Sequence, residues 1–168
     1  RRGQAAEVRM DEHLGSLMVR PQVPEGLSVT VVILTAMRVR EVPGRGTILL
    51  AENFVRSIIE KTTYPNYRII LVDDGVSSQA LTQLLTEHGH RVASYEAEGP
   101  FSFARKSNFA TSLADDGVVI LLNDDMEVLS PQWLHWLVAH AAQPSVGVAG
   151  AKLLFADDTI QHAGMVVG

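Results

Sequence analysis

Two pairs of adjacent aspartates stand directly after runs of aliphatic residues, and they are the side chains best placed to do chemistry. Asp124 and Asp125 follow Val118-Val119-Ile120-Leu121-Leu122-Asn123, while Asp73 and Asp74 follow Ile69-Ile70-Leu71-Val72 and precede Gly75. Adjacent carboxylates repel each other unless a cation or strong donors lie between them. Mg²⁺ and Mn²⁺ take one or two carboxylates together with substrate phosphates, and Asn123-Asp124-Asp125 suits that arrangement. A turn reading competes with it. Asp is a common turn residue and Asp-Gly marks turns, so Asp73-Asp74-Gly75 also describes a simple loop. Asn123-Asp124-Asp125 contains no glycine and follows a continuous aliphatic run, which weakens that alternative there.

The remaining reactive side chains offer less. The chain has no cysteine, which excludes a disulfide framework, a thiolate zinc site and a cysteine nucleophile. His135 and His140 lie too far round a helix to share a metal and are read as surface residues. Trp133 and Trp136 are read as packing residues. His162 either satisfies a structural hydrogen bond or approaches a site. Asp115-Asp116-Gly117 and Asp157-Asp158 are read as turns.

The elements that must position the aspartates follow from hydrophobic pattern. Val29 to Leu34, Ile69 to Val72 and Val118 to Leu122 read as buried strands, Val92 to Tyr95 as a short strand, and Val146 to Phe155 as a further one. Apolar residues on one face predict helices opening at Thr47, around Leu81 to Leu85, over Ser102 to Leu113, and after Ser130-Pro131, where serine can cap and proline sit first. Gly89 suits a helix C-terminus. Strands alternating with helices imply an α/β fold, a mostly parallel sheet flanked by helices. Ligands of such sheets bind beyond the carboxyl ends of the strands, where both aspartate pairs fall.

The bulk composition bounds the reading. At 168 residues with 46% hydrophobic content, the chain is one globular domain with a real core. Residues 1–27, ending in Pro21-Gln22-Val23-Pro24-Glu25-Gly26, read as an extension and linker, and 28–168 as the domain. A net charge of -5 argues against nucleic acid as partner. An acidic protein still binds a phosphorylated ligand when a divalent cation mediates. No apolar run reaches the ~20 residues of a membrane-spanning helix. The chain begins Arg1-Arg2-Gly3, with neither an apolar signal core nor an initiator methionine, and is read as a piece of a longer protein. A cytoplasmic location is expected, any membrane association being left to parts outside this chain.

Several short stretches, each weak singly, are together specific in order and spacing. They are Thr30-Val31-Val32-Ile33-Leu34-Thr35, Thr62-Thr63-Tyr64-Pro65-Asn66-Tyr67, Ile70-Leu71-Val72-Asp73-Asp74-Gly75 and Glu98-Gly99-Pro100-Phe101-Ser102-Phe103-Ala104-Arg105. Leu121-Leu122-Asn123-Asp124-Asp125, Gly150-Ala151-Lys152-Leu153-Leu154-Phe155 and Ile160-Gln161-His162-Ala163-Gly164 complete the set. From about Ser28 to its last residue the chain resembles the family-2 glycosyltransferases, which implies the GT-A (Rossmann-like) fold, here truncated before the acceptor-binding half.

The resemblance also implies roles. Thr35 resembles the residue that lines the nucleoside pocket. Asp73 or Asp74 resembles the carboxylate that accepts from the base or from a ribose hydroxyl. Asp124 and Asp125 are similar to the family's acidic doublet, with Asp125 meeting a divalent ion (Mn²⁺ or Mg²⁺) and Asp124 near the ribose or sugar. Arg105, Lys106 and Asn108 match polar positions of the helix leading into that strand, Arg105 and Asn108 being taken as donor-binding. The implied activity is metal-dependent, inverting transfer of a sugar from a nucleotide-sugar donor to a glycan or other hydroxyl acceptor in glycan biosynthesis. The implied catalytic base lies beyond Gly168, which leaves nucleotide binding without turnover as the alternative for this chain. The sequence departs from the family in Asn-Asp-Asp standing where Asp-x-Asp is found, and in a long basic stretch, Ala36 to Gly46. Its Arg38, Arg40 and Arg45 either reach a diphosphate or form a solvated loop. A receiver- or dehalogenase-type phosphoryl-transfer domain lacks its Asp-x-Asp-x-Thr run here. A nucleotidyltransferase needs a richer glycine loop than Gly44-Arg45-Gly46.

Overall fold

Apolar and polar residues alternate through Glu7-Val8-Arg9-Met10-Asp11 and again near Val19, the two-residue period of strands with unlike faces. They form β1 (Ala6–Asp11) and β2 (Ser16–Pro21), an antiparallel pair with Val8 opposite Val19 and Met10 opposite Leu17. The linker reading assigned no element here. These four apolar side chains stay exposed, so the pattern carries no sign of a core. The computed structural model describes residues 5–11, 15–115 and 117–165. Asp116, within the turn expected at Asp115-Asp116-Gly117, lies outside the described residues.

Beyond Gly26 the chain runs β3 (Val29–Leu34), β4 (Val39–Val42), β5 (Gly46–Leu49), α1 (Leu50–Lys61), β6 (Tyr67–Asp73), α2 (Gln79–Glu87) and β7 (Arg91–Ser94). It continues through α3 (Phe103–Ser112), β8 (Val118–Asn123), α4 (Trp133–Ala141), β9 (Leu153–Leu154) and β10 (Ile160–His162). Two compact units result: Gly26–Pro131, and Arg1–Glu25 together with Gln132–Gly168.

The first of these units holds a four-stranded sheet, ordered β7-β6-β3-β8 and parallel throughout. From β3 the chain steps outward through α1 to β6 and α2 to β7, then α3 carries it back past β3 to β8. Right-handed crossovers therefore put α1 and α2 on one face and α3 on the other. On the α3 face, Val32, Leu34, Ile70 and Val72 pack with Ala110, bordered by Phe109 and Leu113. The alternate residues Val31, Ile33, Ile69 and Leu71 are fully buried toward the opposite face, where α1 supplies Val55 and Ile58 and α2 supplies Leu81 and Leu85. Ser78 and Ser102 cap α2 and α3 by accepting from the amides of Leu81 and Arg105. Gly89, just past the end of α2, takes the left-handed conformation expected of it (φ 73°).

Three expectations are corrected here. β8 is an edge strand rather than a buried one, with Val119 and Leu121 about two-fifths exposed. α1 starts at Leu50, not Thr47, because Gly46–Leu49 pairs with Val39–Val42 as an antiparallel hairpin. α4 starts after Gln132 rather than at Pro131, whose carbonyl accepts from both the amide (3.1 Å) and the hydroxyl (2.9 Å) of Thr63.

In the other unit, α4 packs on β2 through a half-buried seam. The Arg20 guanidinium lies 5.3 Å from the Trp136 ring centroid, donates to Gln132 and pairs with Glu7. His135 is half-buried, not a surface residue, and burial together with the Arg20 charge lowers its pKa. The strand expected over Val146 to Phe155 shrinks to β9, which pairs with β10. Their connection is the expected turn, in which Asp158 has φ 64° and Asp157 accepts from the Thr159 amide and hydroxyl. Among the described residues no helix is long and apolar enough to cross a membrane.

Gly117 enters β8 at φ +130°, and a Cβ there would sit 2.4 Å from the backbone oxygen of Ser28. That oxygen accepts from the Val118 amide, so the contact cannot open without losing the start of the β3–β8 ladder. Gly117→Ala is expected to destabilise the chain by about 2 kcal/mol or more. Thermal unfolding of the variant checks this, and an unchanged midpoint would contradict it.

Candidate functional site

The strand order reverses between β3 and β8, so their carboxyl ends diverge into different connections and leave a crevice. Register sets what lines it. Leu34 pairs with Val72 on one side and Asn123 on the other, which brings Thr35 level with both Asp73 and Asp124. A cleft of about 280 Å³ opens there, bordered by Thr35, Asp74, Lys106, Asn123, Asp124 and Asp125. A concavity of about 290 Å³ in the other unit, around Gln22, Glu25 and Gln143, holds none of the expected site residues.

Thr35 is the junction. Its amide donates to the Val72 carbonyl, its hydroxyl donates to Asp124 Oδ2 at 2.5 Å, and Thr35 Oγ1 accepts from the Met37 amide at 2.8 Å. With Thr35 only 3% exposed, the hydroxyl is committed within the protein. It fixes one carboxylate oxygen of Asp124 and leaves the other available, while the Asp125 side chain stands exposed on the cleft.

The two aspartates after β6 divide. Asp73 is 2% exposed and absent from the cleft lining. Its Oδ1 accepts from the Gly75 amide at 2.9 Å and its Oδ2 from the Ser77 amide at 2.7 Å. Burial pushes its pKa up. The bonds from Ser77 and Gly75 and the charge of Lys106 outweigh burial and hold it below the ordinary value. Gly75, at φ 81°, lets the chain fold back over this carboxylate. The turn reading thus describes Asp73, whereas Asp74 lines the cleft.

Of the three polar positions of α3 named from the resemblance, the one at the cleft is Lys106 rather than Arg105 or Asn108. Lys106 is 3% exposed, and its Nζ donates to the Thr35 carbonyl at 2.7 Å and to Asp74 Oδ1 at 2.9 Å. Arg105 and Asn108 do not line the cleft. Arg105 is turned about 100° round the helix from Lys106 and Asn108 about 200°. The Arg105 guanidinium instead donates to the carbonyls of Glu98 (2.9 Å) and Pro100 (2.6 Å), and Asn108 is exposed. Helical phase was the available signal: Lys106 lies four residues before buried Ala110, on the face turned to the sheet. His162 belongs to the other unit and is not among the cleft residues.

The loop carrying Asp124 and Asp125 is anchored just beyond them. Val128 is buried and its amide donates to Ser57 Oγ at 3.1 Å. Lys61 donates to the Val128 carbonyl and to Glu127, and Arg45, from the β4–β5 turn, donates to Glu127 (3.0 Å) and Asn53 (2.5 Å).

Asp73 has a testable consequence in pH. Its folded pKa lies below the unfolded value of about 3.8, so its contribution to stability is complete above that value. That contribution is lost as pH falls through the lower folded pKa. Asp73→Asn, which sets an amide NH₂ against a backbone donor, is expected to cost about 1–3 kcal/mol at neutral pH. It should also flatten the acid limb of the stability curve below about pH 4. Urea unfolding from pH 2 to 7 checks both, and an acid limb as steep as that of the parent would contradict the assignment.

Comparison with known proteins agrees with this geometry. Residues 49–164 match the family Glycosyl transferase family 2. O-antigen biosynthesis protein RfbC of Myxococcus xanthus is 37% identical over 120 residues, 71% of this chain and 9% of that protein. Protein y4gI of Sinorhizobium fredii is 38% identical over 130 residues, 76% of this chain and 14% of that protein. The chain therefore spans well under a fifth of the length of these curated relatives. Among solved structures, the mannosyltransferase PcManGT from Pyrobaculum calidifontis, in complex with GDP-Man and Mn²⁺, has a TM-score of 0.53 at 20% identity. The match covers 75% of this chain and 37% of that one, and it establishes the GT-A fold that the sequence resemblance implies. With the family match extending over most of its length, the chain belongs to glycosyl transferase family 2.

Proposed function

We propose that the cleft binds a nucleotide-sugar donor and that the protein transfers the sugar to a hydroxyl of a glycan acceptor. The observation that carries this reading is the Thr35–Asp124 hydrogen bond across the switch point, which gathers Asp74, Asp124 and Asp125 on one cleft in a family-2 chain. Asp74, steadied by Lys106, is assigned to a ribose hydroxyl or the base, and Asp124 to the ribose or sugar. Residues 28–168 then act as the donor-binding part. The relative named for O-antigen biosynthesis supports a glycan acceptor.

A divalent ion fits the residues present. Among the described residues no three His, Cys, Asp or Glu side chains converge to hold a metal alone. Mg²⁺ and Mn²⁺ are characteristically held by one or two carboxylates with substrate phosphates completing the shell. Asp125, exposed on the cleft, and the free oxygen of Asp124 supply that number, and the Mn²⁺ complex of the mannosyltransferase lends support. When bound, the ion supplies Lewis-acid stabilisation to the departing diphosphate.

The reaction is a displacement with inversion at the anomeric carbon. The acceptor oxygen forms a bond to that carbon, the bond to the phosphate oxygen breaks, and the nucleoside diphosphate leaves with the electron pair. The acceptor proton passes to a carboxylate base. The cleft carboxylates already have tasks: Asp124 is held by Thr35, Asp74 by Lys106, and Asp125 is assigned to the ion. The family resemblance implies that the base belongs to the acceptor-binding half of the whole protein, and on that reading this chain alone is expected to bind donor without turnover.

Calorimetry with UDP and GDP, each with and without Mn²⁺, tests the reading. The wild-type chain should bind one of them at least tenfold tighter with Mn²⁺, and Asp125→Ala should lose that gain. Asp74→Ala should weaken binding of the corresponding nucleoside even without metal. A metal gain that survives Asp125→Ala would sink the assignment.

A further inference from the structure

The hairpin of β4 and β5 connects β3 to α1, and its strand phase separates its charges. Thr47 donates to Glu41 across the pair at 2.6 Å, so Glu41 lies on the same hairpin face as its partner. Side chains alternate between faces, so Arg38 and Arg40 share the other one. Both of them border the cleft together with Asp124 and Asp125, whereas Val39, one position along, is 65% exposed. The hairpin is held in place at both ends. At its base Met37 turns the chain at φ 53° with its amide on Thr35 Oγ1, and the Leu50 amide donates to the Arg38 carbonyl. At its tip Arg45 is latched to Glu127 and Asn53.

The basic stretch thus divides into two functions. Arg45 is spent on the latch, and Lys106 on Asp74 and the Thr35 carbonyl. Arg38 and Arg40 bring two positive charges to the edge of a cleft whose other wall is acidic. A carboxylate-rich site attracts cations and repels an anionic ligand, so a diphosphate entering it gains from positive charge on the facing wall. Guanidinium forks match phosphate oxygens bidentately and keep their charge at every relevant pH.

We propose that Arg38 and Arg40 form a diphosphate clamp that binds the phosphates of the ligand independently of a divalent ion. This rests on the donor-site reading above. The acidic wall and the arginine wall then divide the ligand between them: phosphates toward the hairpin, nucleoside toward Asp74.

The test is calorimetry in EDTA, comparing UDP and GDP with uridine and guanosine on wild type, Arg38→Ala, Arg40→Ala and the double variant. Each single variant should weaken diphosphate binding about tenfold and the double variant more, with nucleoside affinity unchanged. The diphosphate affinity of wild type should also fall more steeply with salt than that of the double variant. Glu41→Ala, on the opposite face, should change nothing, and circular dichroism and thermal midpoints should match wild type throughout. Equal losses for nucleoside and diphosphate, or a phosphate-dependent gain that persists in the double variant, would overturn the clamp. Wild type that binds neither diphosphate, with or without Mn²⁺, would instead overturn the donor-site reading itself.

Discussion

A single threonine at the end of a fully buried strand ties the site to the sheet. Thr35 continues the ladder toward β6 with its amide, fixes Asp124 with its hydroxyl, and receives Lys106 on its carbonyl. Each bond is individually worth about 1 kcal/mol net, a little more where a charge takes part. Their value lies in direction, since they join β6, the loop after β8 and α3 at one residue. β3 and β6 are inner strands with no exposed backbone edge to slip, so the position of Thr35 is set by the core. Asp124 and Lys106 inherit that position.

Burial then decides which polar groups are structural and which are open to a ligand. Asp73, Thr35 and Lys106 are each nearly inaccessible, and each is compensated by specific partners, as buried polar groups must be. Asp74 and Asp125 are exposed. In the doublet after β6 the two carboxylates part, Asp73 turned inward to fasten the loop and Asp74 outward to the cleft. In the doublet after β8 both border the cleft, Asp124 held there by Thr35 and Asp125 exposed.

The sheet, its strand ends and the acidic doublets were legible because aliphatic runs broken by Asp-Asp carry a strong, local signal. What residue type alone could not reveal was context. Arg105 and Lys106 are neighbours of the same charge, and the helical phase that Lys106 shares with Ala110, packed on Val32 and Val72, turns it inward. The hairpin of β4 and β5 looked like a polar loop because its apolar positions are few and half-exposed. β8 looked buried because it is aliphatic throughout, yet composition does not state how many neighbours a strand has. Pro131 looked like a helix start by residue type, and a distant threonine held its carbonyl for another purpose. In each case a tertiary contact, not a propensity, made the choice.

An edge strand alone is a poor anchor for a binding carboxylate, and the surroundings of Asp125 make up for that. Two ion pairs, Arg45–Glu127 and Lys61–Glu127, hold the loop from α1 and from the hairpin, and together they keep the pKa of Glu127 low. Both are substantially exposed, and such pairs contribute only about 0–1 kcal/mol each. They cannot be what pins the loop. Val128 can: burying its side chain is worth roughly 1.5–3 kcal/mol, and its amide and carbonyl are both satisfied, by Ser57 and Lys61. The apolar anchor therefore fixes where the loop sits, and the charged pairs fix how it is turned. Glu127 is held away from the cleft while Asp125, two residues earlier, remains free to face it.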